Sequence, residues 1–261
     1  MKIVKIKGGL GNQMFQYAYG RKLILVDKKD VIFDTSFFKL NKIDTDRPFF
    51  LNNFNVDNSS KFENIEDGLF KKYYQKLTSK ITGNYGFYQS EKYFKSTENM
   101  VRKEFTLKEP LSAISQEYTN KILDTKNAVS IHIRRGDYVL NTSTNKHHGV
   151  CNLDYYEAAV EYIREKIESL TFFIFSDDIA WVKENLKLDN AVFVSSPEIK
   201  DYEELILMSK CKHNIIANSS FSWWGAWLNQ NPDKIVIAPR QWTTKKTADE
   251  LDILPKSWIQ I

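Results

Sequence analysis

The sequence predicts an α/β protein built on parallel sheets, and three observations carry that reading. Residues 2–34 run strand, glycine turn, helix, strand. Residues 128–238 alternate five short apolar strands with four helix-length segments, the pattern of a doubly wound sheet. Hydrophobic residues at 42% and charged residues at 27% lie near globular averages, which excludes disordered, collagenous and coiled-coil classes. At 261 residues the chain has length for one large domain or two small ones.

In order, KIVKI (2–6) is a short strand, 8–11 a tight glycine turn, and 12–26 a helix in which Met14, Tyr17, Ala18 and Leu25 recur at roughly helical spacing. DVIFD (30–34) is a second strand and completes a βαβ-like unit of roughly 30 residues. Residues 37–68 become irregular and rich in Asn and Asp. Helical periodicity returns at 69–81, 91–104 and 111–124. The polar run 124–127 then marks the expected boundary between an N-terminal domain, 1–125, and a C-terminal domain, 126–261. In the second domain strands are expected at 128–133, 172–176, 191–194, 214–217 and 235–238, with helices at 153–169, 179–186, 202–211 and 221–230.

A formal charge of +4, from 37 Lys and Arg against 33 Asp and Glu, is too small and too evenly spread for a duplex-DNA binder, so no nucleic-acid partner is expected. Cys151 and Cys211 lie far apart in no metal-like spacing and read as reduced thiols, small core residues of a cytosolic protein. The N-terminus lacks an apolar signal segment, and no run approaches the roughly 20 apolar residues of a membrane span. A cytoplasmic location is expected, with any contact to the inner face of the membrane peripheral and made by the Lys-rich surface.

Open α/β sheets bind ligands at the carboxyl ends of their strands, so the residues that follow each strand carry the functional reading. Gly8-Gly9-Leu10-Gly11-Asn12-Gln13 can bring backbone amides to a phosphate at a helix N-terminus, or can simply make a turn that needs positive φ. Met14 stands where a dinucleotide fingerprint needs its third glycine, which removes the best support for a nicotinamide cofactor. In His132-Ile133-Arg134-Arg135-Gly136-Asp137, two arginines at the end of a buried strand are costly unless an anion meets them. Strand alternation sends His132 and Arg134 to one side and Arg135 to the other, where it can pair internally.

Asp177 and Asp178 either accept from ribose hydroxyls or cap the next helix. Ser219 and Ser220 open a helix whose N-terminus can hold phosphate oxygens, capping alone being the other reading. Trp223, Trp224 and Trp227 read as core rather than as a ligand platform. Asp44-Thr45-Asp46 has the form of a metal-binding D-x-D but lacks a preceding strand, and His147-His148 lacks further ligands; neither is taken as a metal site.

Taken together, GGLGNQMFQYAYG (8–20), HIRRGDY (132–138), FSDD (175–178) and NSSFSWWGAWL (218–228) resemble the motif set of glycosyltransferase family eleven, the α-1,2-fucosyltransferases, and GFYQSEKYF (86–94) is similar to a further segment of it. The resemblance implies a GT-B fold of two Rossmann-like domains facing across a cleft, a GDP-β-L-fucose donor, inversion at the anomeric carbon, and neither cofactor nor metal. The acceptor it implies is a galactose-containing glycan. It makes Arg134 the diphosphate ligand with His132 beside it, and sets Asn12 and the Gly11 amide at the β-phosphate and fucose. Asp177 and Asp178 meet the nucleoside, and Ser219, Ser220 and Phe221 line the diphosphate pocket. Glu204 falls where related enzymes carry a carboxylate for guanine, although a surface Glu fits the sequence equally. The chain is short for a two-domain transferase, so the N-terminal domain is expected to be abbreviated and helix-rich. Gln13, Glu91 and the loop near Arg47 are its acceptor-side candidates.

In such a reaction negative charge builds on the β-phosphate, and Arg134 with the amides at Gly11 and Ser220 supplies the compensation. Asp137 is the first choice for the general base, or else holds Arg134 by a salt bridge. Competing readings are a GDP-sugar transferase of another linkage or donor, a dinucleotide-dependent oxidoreductase, and a non-catalytic nucleotide-sugar or glycan-binding protein.

Overall fold

The computed structural model describes residues 1–40, 48–65, 86–136, 149–243 and 252–261, which divide into two compact units, Met1–Pro110 and Leu111–Ile261. Helix 113–124, placed before the expected boundary near 125, packs within the second unit, where the Tyr118 hydroxyl donates to the Phe193 carbonyl.

In the first unit β1 (Lys2–Lys5), β2 (Val31–Asp34) and β3 (Lys61–Glu63) form a parallel sheet in that order, with α1 (Leu10–Leu25) crossing from β1 to β2 and α2 (Phe37–Leu40) following β2. Met14, Phe15, Tyr17 and Ala18 of α1 are fully buried. The ring of Tyr17 packs on Phe33 at 5.2 Å and Phe62 at 6.0 Å, so the helix is fixed to the sheet by aromatic contact. Its hydroxyl donates to Glu104 at 2.8 Å, and Glu104 also pairs with Arg21 at 2.7 Å; that buried pair ties α1 to α3 (Glu98–Glu104).

The β3 strand is a departure from the sequence reading. Its three residues lie inside the stretch expected to be irregular and carry no apolar run. The helix expected at 91–104 is α-helical only over α3. Before it come two 3-10 turns, Glu91–Tyr93 and Lys95–Thr97, because Phe94 at φ −142° and ψ 10° leaves the helical region to bury its ring. The helix expected at 69–81 lies outside the described residues.

The second unit is a parallel sheet of β4 (Asn127–Ile133), β5 (Leu170–Ser176), β6 (Ala191–Phe193), β7 (His213–Ile215), β8 (Val236–Ala238) and β9 (Ile259–Gln260), in the order β6-β5-β4-β7-β8-β9. Numbered from β4, that is the Rossmann order 3-2-1-4-5-6. Helices α4 (Ala113–Asp124), α5 (Leu153–Lys166), α6 (Ile179–Asn185), α7 (Asp201–Lys210) and α8 (Ser220–Leu228) flank it. Alternation along β4 divides its faces. Val129, Ile131 and Ile133 pack against Tyr156, Ala159 and Ile163 of α5, while Ser130 and His132 face the other way, toward Asn214 and Phe221. Trp223 and Trp224 are fully buried and Trp227 nearly so, which places all three in the core. The two-residue β9 was not foreseen, because its pairing to β8 comes from the fold and not from local propensity.

Candidate active site

In the 3-2-1-4-5-6 order the chain reverses direction of travel across the sheet between β4 and β7, and the carboxyl ends of those two strands are where open α/β sheets bind ligands. Those two ends carry His132-Ile133-Arg134-Arg135 and Asn218-Ser219-Ser220. The topology therefore brings together two motifs that lie more than 80 residues apart in sequence.

Arg134 follows the last residue of β4 and points its guanidinium at Asp177, with Nη1 3.0 Å from Oδ2. The other oxygen of Asp177 accepts the Arg135 backbone N–H at 2.9 Å, so one carboxylate fixes side chain and main chain together. Gly136 belongs to the same arrangement: a Cβ there would stand 2.6 Å from Asp177 Oδ2. Arg135 turns away, stacking 3.4 Å above the Trp181 ring and pairing loosely with Asp178 at 3.4 Å. Asp178 in turn is the N-cap of α6, accepting from the Trp181 backbone N–H at 3.2 Å. Both aspartates thus have internal partners in the described structure. Asp177 orients the arginine pair, and Asp178 caps.

Across the switch point Ser219 is the N-cap of α8, its hydroxyl accepting from the Phe221 backbone N–H. Ser220 and Phe221 stay partly exposed while the rest of the helix is buried, so the positive end of the helix dipole lies at its accessible end. The ring of Phe221 lies 5.4 Å from that of His132. Burial pushes the His132 imidazole down to about 3, with Asp177 opposing and Arg134 assisting, so it is neutral near pH 7. Its Nδ1 is buried without a hydrogen-bond partner among the described residues. A neutral ring with an unmet nitrogen beside Arg134 suits a polar ligand at this spot.

Glu204 lies on α7, one residue past Glu203, and the two differ sharply. Glu203 caps its own helix, accepting the Ser112 N–H at 2.6 Å and the Lys200 N–H at 3.2 Å; these bonds outweigh burial and hold its carboxyl below the ordinary value. Glu204 is desolvated, which pushes it up to about 8; the Ser195 hydroxyl opposes that, and Asp201 and Asp177 add to it. Ser195 also accepts the Ser176 N–H at 2.9 Å, so it links Glu204 to the end of β5. The sequence reading missed Ser195, although it follows β6 by two residues and the strand-end rule points at it.

In the first unit the turn reading of the glycines holds at Gly8, whose φ is +79° and whose added Cβ would meet Asn12 Nδ2 at 2.9 Å. Helix α1 begins at Leu10, with Gly9 as N-cap and Gly11 already helical and buried. Asn12 is partly exposed, and its Oδ1 accepts from Gln89 Nε2 at 2.7 Å, a partner inside the GFYQSEKYF segment. Gln13, an expected acceptor contact, is corrected. It is fully buried, donating to the Gly8 and Pro48 carbonyls and accepting from the Phe50 N–H, and so acts as a strut for the turn. Glu91 is partly buried and paired with Lys95 at 3.2 Å. Asp137, Asp44, Asp46, Arg47, His147 and His148 lie outside the described residues. Among the described residues there is no group of three or more His, Cys, Asp or Glu placed to hold a metal ion, and no helix long and apolar enough to cross a membrane.

Comparison with known proteins gives the family. Residues 1–261 match glycosyl transferase family 11. The chain belongs to that family. An α-1,2-colitosyltransferase of Escherichia coli is 35% identical over 291 residues, spanning 99% of this chain and 98% of its own length. The O-antigen biosynthesis glycosyltransferase WbnK of Escherichia coli is 33% identical over 300 residues, with 98% and 99% covered. The solved structure of POFUT1 in complex with GDP superposes with a TM-score of 0.50 at 14% identity, covering 91% of this chain and 98% of that one. As a family 11 member the chain is a glycosyltransferase, and its fold is of the GT-B class, α/β with Rossmann-like parallel sheets.

Proposed function

We propose that this family 11 enzyme transfers L-fucose from GDP-β-L-fucose to the 2-hydroxyl of a galactoside, inverting the anomeric carbon and needing no metal. The observation that carries the reading is that Arg134 and the Ser219–Ser220 helix start follow β4 and β7, the two neighbouring strands of the switch point. A guanidinium and a helix N-terminus at neighbouring strand ends are the complement of a diphosphate.

The chemistry follows from charge. As the glycosidic bond to the sugar breaks, an electron pair moves onto the β-phosphate oxygen and the sugar carbon becomes oxocarbenium-like. Arg134 and the α8 amides stabilise that developing charge, each such donor being worth about 3–4 kcal/mol when preorganised. Asp177 holds the Arg134 fork in place before the donor arrives, so little reorganisation accompanies the reaction. His132, neutral, can donate or accept one hydrogen bond at the phosphates without adding charge. Glu204, once ionised, accepts the two N–H groups on the guanine edge. Asp137, in sequence just beyond Gly136, is proposed as the base that takes the acceptor hydroxyl proton.

A colitosyl donor is the second reading, favoured by the 35% identity to the colitosyltransferase. The deciding experiment offers GDP-fucose and GDP-colitose, with and without a chelator, against a panel of galactosides and assigns product mass and linkage. Fucosyl transfer to the 2-hydroxyl that persists in chelator supports the proposal. Turnover with colitose alone moves the enzyme to the second reading, and turnover with neither donor removes both.

A further inference from the structure

Helix α5 places two adjacent tyrosines beneath the switch point. Tyr155 donates to the carbonyls of Ile216 and Ile237, at 2.7 and 3.2 Å, which lie just past β7 and on β8. Tyr156 reaches the other way, to the end of β4, where its hydroxyl donates to the His132 carbonyl at 3.3 Å and accepts the backbone N–H of Arg134. The same hydroxyl lies against the Cys151 thiol, a contact without a hydrogen bond of its own, since the hydroxyl proton goes to the His132 carbonyl. Cys151 Sγ then donates to Asn218 Oδ1 at 3.4 Å and receives the Asn218 backbone N–H. Asn218 closes the chain by donating from Nδ2 to the Gly149 carbonyl at 3.2 Å and the Trp242 carbonyl at 3.1 Å.

Tyr156 and Asn218 are 1% and 3% exposed and Cys151 between them is partly buried, so water competes little at either end. Burial pushes the Cys151 thiol up to about 11, which keeps it protonated and able to donate. The two ends of this relay are the residues that carry the diphosphate groups: the Arg134 main chain at one end, and at the other Asn218, the residue before the Ser219 N-cap. A core cluster serving stability alone has no reason to end on both. Apolar side chains would fill the same space without leaving polar groups to satisfy.

We propose that Tyr156, Cys151 and Asn218 are positioning residues, a relay of two hydrogen-bonded braces in contact at Tyr156 and Cys151, that fixes the spacing between Arg134 and the N-terminus of α8 and so sets affinity for a nucleoside diphosphate. The proposal rests on the donor reading above. It assigns to the cysteine a role as neutral bridge, with serine able to replace it and alanine not.

The test is calorimetric titration of GDP into the purified protein under reducing conditions, alongside thermal melts and acceptor KM. Tyr156→Phe removes one hydroxyl and should weaken GDP binding roughly five- to tenfold, the net worth of a buried hydrogen bond, with acceptor KM unchanged. Cys151→Ala should weaken GDP binding by a similar factor, and Cys151→Ser should restore it to within twofold of wild type. The serine rescue is the readout a purely structural role would not move, and it keeps the test decisive if Tyr156→Phe does not fold. GDP affinity equal to wild type in all folded variants overturns the relay while leaving the donor reading intact, as does equal weakening by alanine and serine. Absence of GDP binding by the wild-type protein overturns the donor reading and the relay with it.

Discussion

Asp177 Oδ2 lies 3.0 Å from Nη1 of Arg134, and both side chains remain partly open to solvent, 25% and 21% exposed. At that exposure the pair contributes little to stability. Its consequence is directional, since a carboxylate bound at one nitrogen fixes the plane of the guanidinium fork.

Arg134→Ala should therefore lower turnover about 10²- to 10³-fold while leaving the melting temperature nearly unchanged, the loss expected for a donor aimed at developing charge. Asp177→Asn should cost less, roughly tenfold, because the guanidinium remains but loses its tether. Steady-state kinetics with melts checks both. Turnover within threefold of wild type for Arg134→Ala would remove the residue from the reaction.

The Glu204 carboxyl gives a pH prediction with a definite sign. Its value in the folded protein is raised to about 8 from an ordinary 4.5, mainly by burial. The native state therefore binds the proton that the unfolded chain releases, and the stability this lends is present below about 4.5 and lost as pH climbs to about 8. Glu204→Gln should remove that slope, so melts of variant and wild type should diverge progressively between pH 5 and 8. For GDP the dependence runs the opposite way: guanine needs the carboxylate, so wild-type affinity should rise through the same window, with proton release on binding. A titration in two buffers of different ionisation enthalpy detects it. Affinity that is flat with pH would detach Glu204 from the base.

The strand ends were legible because each couples a hydrophobic run to a turn and a polar cluster, and the 3-2-1-4-5-6 order then had to bring Arg134 near Ser219. For Arg135 the sequence allows both anion binding and internal pairing, since no local pattern reveals a ring like that of Trp181 over a strand end. Gln13 looked available as a polar residue in a glycine loop; only the approach of residues 48–50 buries it. Strands β3 and β9 hold two or three residues each, too few for periodicity, and exist because a neighbouring strand offers them an edge.

Arg135 and Arg134 should separate cleanly in experiment. Arg135→Ala loses a stacked contact with Trp181 and a loose pair with Asp178, and should cost about 0.5–2 kcal/mol in chemical denaturation, with GDP affinity within a few-fold of wild type. A collapse of GDP binding in a folded Arg135→Ala protein would mean that both arginines hold the donor.

Two glycines make opposite predictions. Gly20 sits inside α1, and an added Cβ there would run into the ring of Phe33, which is fully buried and held between Tyr17 at 5.2 Å and Phe62 at 5.1 Å. Alanine gains about 1 kcal/mol in helix propensity, but overpacking against a ring that cannot retreat costs about 1–3 kcal/mol, so Gly20→Ala should destabilise on balance with catalysis per folded molecule unchanged. At Gly136 the obstacle is the Asp177 carboxylate at 2.6 Å, the free end of a side chain that can rotate away. Gly136→Ala should fold with nearly wild-type stability and lose roughly tenfold in turnover, matching Asp177→Asn, because that rotation releases Arg134. Melts and kinetics on the two variants give the comparison. A Gly136→Ala enzyme with full activity would show that the Asp177 tether does not set the Arg134 geometry.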